Sequence, residues 1–278
     1  MADDEADSFV QSSSAMTIAI AATVTAVCVS CMSLYQHLLN YSCPDQQRHI
    51  IRLLFTCPLY AITSLLSLRF QEHAIYFETI RDCYESLVIY SFMVLILEYA
   101  GGEANCVAKM QGLPPLKPPF PCCHLDARPR TVELLRECKR GTQQFVVLKP
   151  TMGLLSIIMY TQGLYYNSAY QTVLLTVYNL SYTVALYYLL LFYLATKDAC
   201  KRHSPVFKFA SVKTVVFATY YQSIGIKMVP GLSAELADVW SDFILCAEMI
   251  LFSMLLSCAF GAEPYETTNG GGVGGGLE

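Results

Sequence analysis

Apolar residues occur along this chain in seven long runs separated by short polar stretches. The runs are Met16–Leu39, His49–Leu68, Ala74–Ala100, Gln144–Tyr165, Ala169–Thr196, Pro205–Met228 and Leu236–Phe260. A helix needs about 20 mostly apolar residues to cross roughly 30 Å of hydrocarbon, and each run is of that order. Inside lipid a backbone must satisfy its own hydrogen bonds, so each run predicts a helix. The pattern predicts an all-α membrane protein, a bundle of seven transmembrane helices over residues 16–262. A tail, 1–15, precedes it. Residues 263–278 read as a flexible tail, truncated or artificial, because Asn269–Glu278 is mostly glycine. Charged residues are 14% of the chain and mean hydropathy is +0.41, which fits the membrane class over a soluble one.

Basic residues orient the bundle. The first connection and the start of the second run carry Arg48 and Arg52. The third connection carries Lys109, Lys117, Arg128, Arg130, Arg136, Lys139 and Arg140, and the fifth carries Lys197, Lys201 and Arg202. The alternate connections are short and nearly free of Lys and Arg. Basic loops stay cytoplasmic, so the N-terminus is expected outside (extracellular or lumenal) and the C-terminus in the cytoplasm. Asp3, Asp4, Glu5 and Asp7 precede the first run, where a signal peptide would carry basic residues, so that run reads as a retained anchor. By this topology the sequon at Asn40 is cytoplasmic and that at Asn179 lies within a span, so neither is expected to be glycosylated. None of the 12 cysteines falls in an outside loop, and no structural disulfide is expected.

The segment 101–143 is Pro/Cys-rich and then amphipathic. Pro114, Pro115, Pro118, Pro119 and Pro121 forbid regular helix and favour extended chain. Thr131–Arg140, with Val132, Leu135 and Cys138 at helical spacing among charges, reads as a short helix on the cytoplasmic surface or as an ordinary connector. Between them Cys122 and Cys123 are candidates for S-acylation, an inert thiol pair being the alternative. With His124 they lack the further ligands structural zinc needs, so no metal site is assigned.

Ionisable groups within spans are costly and usually face a bundle interior or water. Glu78, Arg81, Asp82 and Glu85 are spaced i, i+3, i+4, i+7 and fall within an arc of about 100°, one polar face in the outer half of the third run. Glu98 lies on the opposite side near the inner end. Lys149 and Lys213 complete an inner layer, Asp242 joins the outer layer, and Glu248 is alone at mid-depth. A polar substrate path and a structural ion network are both open for these residues. Pro58 and Pro150 should loosen their helices locally.

What is missing argues against several classes. The third run ends Leu97-Glu98-Tyr99-Ala100 without the Asp-Arg-Tyr of heptahelical receptors, and the last run has neither Asn-Pro-x-x-Tyr nor a lysine for retinal. The five histidines all lie at run ends or in connections, and His-Glu-x-x-His and Gly-x-Ser-x-Gly are absent. No catalytic residues, no cofactor and no nucleic-acid surface are assigned, and an enzyme is not expected.

The stretches Arg48–Phe55 with Pro58-Leu59-Tyr60-Ala61, Tyr76–Tyr90, Glu98–Glu103, Cys138–Phe145 with Lys149-Pro150, Leu189–Tyr193, Pro205–Lys213 and Asp242–Met249 occur in this order. Together they resemble the organic solute transporter alpha family, and more closely its transmembrane-protein-184 branch. The resemblance covers nearly all seven runs. It implies a seven-helix protein, facilitated movement of bile acids, steroid conjugates and similar amphipathic anions, and, for the transporter branch, a single-span beta-type subunit. For the 184 branch it implies roles in membrane traffic and signalling.

The leading expectation is a facilitative transporter of amphipathic organic solutes, steroid- or bile-acid-like anions or lipids, in the plasma membrane or an endomembrane. Lys149 and Lys213 would attract an anionic headgroup, and Arg81, Asp82, Glu85, Glu98, Asp242 and Glu248 would hold or gate the path. Membrane lipids, a beta-type subunit or further copies of the chain would be its partners. The alternatives are a membrane scaffold or trafficking protein anchored at Cys122 and Cys123, and a heptahelical receptor.

Overall fold

The computed structural model describes residues 12–119, 126–165, 167–197, 205–229 and 233–266. Each of the seven apolar runs lies on a helix. These are α1 (Ser13–Leu39), α2 and α3 (Pro44–Leu54 and Thr56–Arg69), α4 (Ala74–Tyr99), α6 (Val132–Thr161), α7 (Ser168–Thr196), α8 (Pro205–Lys227) and α9 (Ala234–Ala259). Short helices α5 (Gly102–Met110) and α10 (Glu263–Glu266) follow α4 and α9. Five of the helical segments are long and apolar enough to cross a membrane, counting α2 with α3, and six if the bent pair α4–α5 counts as one span. The α8 helix, which carries Lys208 and Lys213, is not among them.

Local chemistry sets the helix ends. The Ser12 hydroxyl accepts from Ala15 N at 3.2 Å and starts α1, and Asn167 and Ser233 cap α7 and α9 in the same way. The loosening expected at Pro58 appears one turn before it. Pro58 has no N–H for the Leu54 carbonyl, so α2 ends at Leu54 and α3 begins at Thr56. Pro150 by contrast leaves α6 undivided. Gly101 and Gly102, at φ 90° and 89°, take the left-handed conformation that turns the chain by 68° into α5.

Packing uses small residues. Ala15, Ala19, Ala22 and Ala26 form the buried stripe of α1 against α3 and α9, while Ile18, Val24, Met32 and Leu38 face outward as lipid-facing residues should. At one end of the bundle, His37 Nε2 meets the Phe260 carbonyl at 2.7 Å and the Tyr265 hydroxyl donates to Gln46 at 3.0 Å. At the opposite end Tyr160 donates to the Glu72 carbonyl at 3.0 Å, joining α6 to the turn before α4.

Three sequence expectations change. Thr131–Arg140 is not a separate surface helix: Val132 opens a continuous helix that runs to Thr161. Leu135 and Cys138 are buried in the core, and nothing between Arg140 and Gln144 breaks the helix. The α5 helix within 101–143 was not anticipated, although Cys106, Val107 and Met110 give it a short apolar face. The flexible tail does not start at residue 263: Glu263–Glu266 is helical and Tyr265 is buried. The described part of the Pro-rich stretch is non-helical as expected, and Leu116 pairs with Arg128 in an isolated antiparallel bridge. Cys122 and Cys123 lie outside the described residues, and the nine described cysteines are free.

Candidate functional site

The polar face of α4 meets α6 where α6 has no side chain. A Cβ on Gly153 would sit 2.8 Å from Thr79 Cγ2, so glycine permits the close approach. Lys149, one helical turn earlier, is thereby carried onto the acidic face. Its Nζ is 2.8 Å from Asp82 Oδ1 and 3.2 Å from Glu85 Oε2. The ammonium also lies 4.9 Å from the centroid of the Tyr178 ring and 5.9 Å from that of Phe145. Lys149 therefore belongs with the α4 charges. The α6 helix starts at Val132 and carries Lys149 in its middle, level with Asp82 and Glu85.

Arg81 points to the other neighbours. Its Nη1 donates to Asp242 Oδ1 on α9 and to Ser64 Oγ on α3, both at 2.8 Å. The network thus ties α3, α4, α6 and α9 together. Glu85, Lys149 and Asp242 are all more than 90% buried. Such pairs add little net stability over an apolar contact, but halving one leaves an uncompensated charge. Arg81→Gln and Asp242→Asn should each lower the thermal stability of the detergent-purified protein, and the double variant should lose less than the sum. A coupling of about 0.5–3 kcal/mol is expected. Strict additivity in thermal unfolding would show that the two side chains do not act as a pair.

These charges line a cavity of about 250 Å³ between α3, α4, α6, α7, α8 and α9. Tyr60, Tyr165, Tyr178, Leu174, Leu175 and Leu245 give it aromatic and apolar wall, and Glu78, Asp238, Ser241, Gln171 and Gln222 add polar groups. A second cavity of about 530 Å³ lies toward the helix ends that carry Ser67, Leu68, Gln71, Glu72, Ala74, Tyr160 and Ser233. Glu78, Tyr165, Asp238 and Asp242 line both, so the two are contiguous. The geometry is a vestibule narrowing to a charged chamber. Among the described residues no group of three or more His, Cys, Asp or Glu side chains is placed to hold a metal ion.

Of the residues singled out in the sequence, Arg81, Asp82, Glu85, Lys149 and Asp242 come together. Glu248 joins indirectly: with its amide nitrogen turned to the carboxylate, Gln222 stands 2.5 and 3.2 Å from the Glu248 oxygens, and Gln222 itself lines the chamber. Glu98 is 16 residues, about 24 Å of helix, from Asp82. Glu98 and Lys213 line neither cavity. Sequence reasoning missed Tyr60, Ser64, Gln171, Gln222, Asp238 and Ser241. Only Asp238 carried a readable signal, since it precedes Asp242 by one helical turn. Glu78, the first residue of the α4 polar face, lines both cavities.

A bundle of long apolar helices around a buried, charged cavity defines a multi-pass α-helical membrane protein. Residues 15–265 match the family described as organic solute transporter Ostalpha. The chain belongs to that family, and at this level it is a membrane transporter. No solved structure matches it.

Proposed function

We propose that the protein is a facilitative carrier of amphipathic organic solutes whose path leads through the vestibule and the charged chamber. In this reading all seven long apolar runs cross the bilayer, the N-terminus lies outside and the C-terminus lies in the cytoplasm, as the basic connections favour. The vestibule then faces outward. The continuity of the two cavities through Glu78, Tyr165, Asp238 and Asp242, in a family of organic solute transporters, carries the proposal. Steroid-like or lipid-like bodies, the class implied by the resemblance, suit walls of tyrosine and leucine. The order of motifs such as Tyr76–Tyr90 favours the transmembrane-protein-184 branch.

Purified protein in liposomes, with and without a single-span partner subunit, should carry labelled steroid conjugates or bile acids saturably above empty liposomes. Ser241→Trp adds bulk to the chamber wall without changing charge, and should abolish most of that flux while the protein stays monodisperse. Flux unchanged in this variant would remove the chamber from the path. No flux of any amphipathic solute would overturn the carrier and favour a scaffold.

A further inference from the structure

We infer that one face of α3 reads an uncharged oxygen, a hydroxyl or ketone, on the apolar body of the solute, so that a neutral steroid-like diol binds in the path without a charged headgroup; this rests on the carrier reading above. Tyr60, Ser64 and Ser67 are spaced i, i+4, i+7 and fall within about 60° of arc on α3. None of them is more than 2% exposed. Tyr60 lines the chamber, Ser67 lines the vestibule, and Ser64 between them is held by Arg81. The Tyr60 hydroxyl makes no hydrogen bond to a described residue, and the Ser67 hydroxyl is buried without a partner among them. A hydroxyl in a helix often bonds back to a carbonyl one turn earlier, as Thr63 does to Leu59 at 2.8 Å; Ser67 does not. Ser30 and Thr56 are also buried and unpartnered, but they line neither cavity. Tyr60 and Ser67 are left for a ligand.

The second observation is that the charges of the chamber are engaged within the protein. The Lys149 ammonium is shared by Asp82 and Glu85, and the Arg81 guanidinium is held by Asp242 and Ser64. Glu78 and Asp238 have interactions of their own. An ion of either sign would have to displace a partner that is already in place. A neutral oxygen needs no such exchange. A hydroxyl both donates and accepts, so Tyr60 and Ser67 can each meet a solute hydroxyl, or donate to a ketone. A buried group built to hydrogen-bond a solute is left unpaired by the analogue that lacks the oxygen, and this is what discriminates the two. Tyr60 and Ser67 are seven residues apart, about 10 Å along the helix. That separation suits oxygens at opposite ends of a four-ring body, and the contiguous cavities of about 250 and 530 Å³ have room for one.

The test uses a steroid diol with a hydroxyl at each end of the nucleus, and the two mono-ols that lack one or the other. The purified protein should bind the diol about tenfold more tightly than either mono-ol. Tyr60→Phe should remove the preference over one mono-ol, and Ser67→Ala the preference over the other. Both variants should unfold at the parent's temperature or above it, since each loses a hydroxyl with no partner in the protein. A lower unfolding temperature would mark the hydroxyls as structural and overturn the inference. So would a parent that does not distinguish the three probes, or a preference that survives both substitutions. Uncharged steroids cross lipid unaided, so occupancy of the path is read by competition: the diol should inhibit saturable uptake of a labelled steroid sulfate into proteoliposomes. Uptake that the diol does not inhibit overturns the inference and leaves the carrier intact. If no steroid sulfate is taken up, the carrier reading fails, and the binding preference decides recognition: its loss in the variants supports it, and its absence in the parent overturns it.

Discussion

Lys149→Met should be among the most damaging single substitutions in the bundle. The lysine places its ammonium between Asp82 and Glu85, and Glu85 is 7% exposed. Methionine retains most of the apolar stem but leaves two carboxylates facing each other. Orphaning a buried charge costs about 3–5 kcal/mol. The Asp82 side chain keeps 32% of its surface open to the cavity, which places the expected loss near the lower value, about 3 kcal/mol. Thermal unfolding of the detergent-purified variant reads this. Lys149→Met combined with Asp82→Asn and Glu85→Gln should recover most of the loss, because neutral amides need no cation. A single variant as stable as the parent would mean that the ammonium does not compensate those carboxylates.

Gly141→Ala should be the other large effect, at a position with no charge. The α6 and α7 helices touch here so closely that a Cβ would overlap Cγ and Cδ2 of Tyr188. Cγ is the root of the ring, so rotating the ring about its own axis does not clear it, and either the whole Tyr188 side chain must swing to another χ1 rotamer or one helix must shift. Overpacking of this kind costs about 1–3 kcal/mol. The yield of monodisperse protein and its unfolding temperature should both fall. In a Tyr188→Ala background the same alanine should cost almost nothing, and an equal penalty in both backgrounds would place the strain elsewhere. The α6–α7 contact matters for the chamber because α6 supplies Lys149 and α7 supplies Tyr178.

Both positions show how far the chain could be read. The polar face Glu78, Arg81, Asp82, Glu85 is a property of one helix, and helical periodicity placed it correctly. That these charges meet Lys149 on one side and Asp242 on the other depends on which helices are neighbours. Depth assigned from run boundaries put Lys149 one layer too far in, since the helix starts a dozen residues before the apolar run does. Glycines at 141 and 153 carry no hydropathy signal that announces a contact, yet each sets a close approach.

Hydropathy along the sequence by itself determined the solvent, the helical class, the seven apolar runs and the charge bias of the connections. It did so because lipid makes every backbone group pair within its own segment, so local composition decides. The ordered motifs also placed the family. Only the tertiary structure decided that two ion-pair groups join α4 to α6 and α9, with Ser64 of α3 hydrogen-bonded to Arg81, that Glu98 and Lys213 line neither cavity, and that two adjoining cavities with predominantly acidic walls lie beside these charges. These follow from side-chain size at helix crossings and from charge summed over residues distant in sequence, which no local pattern encodes.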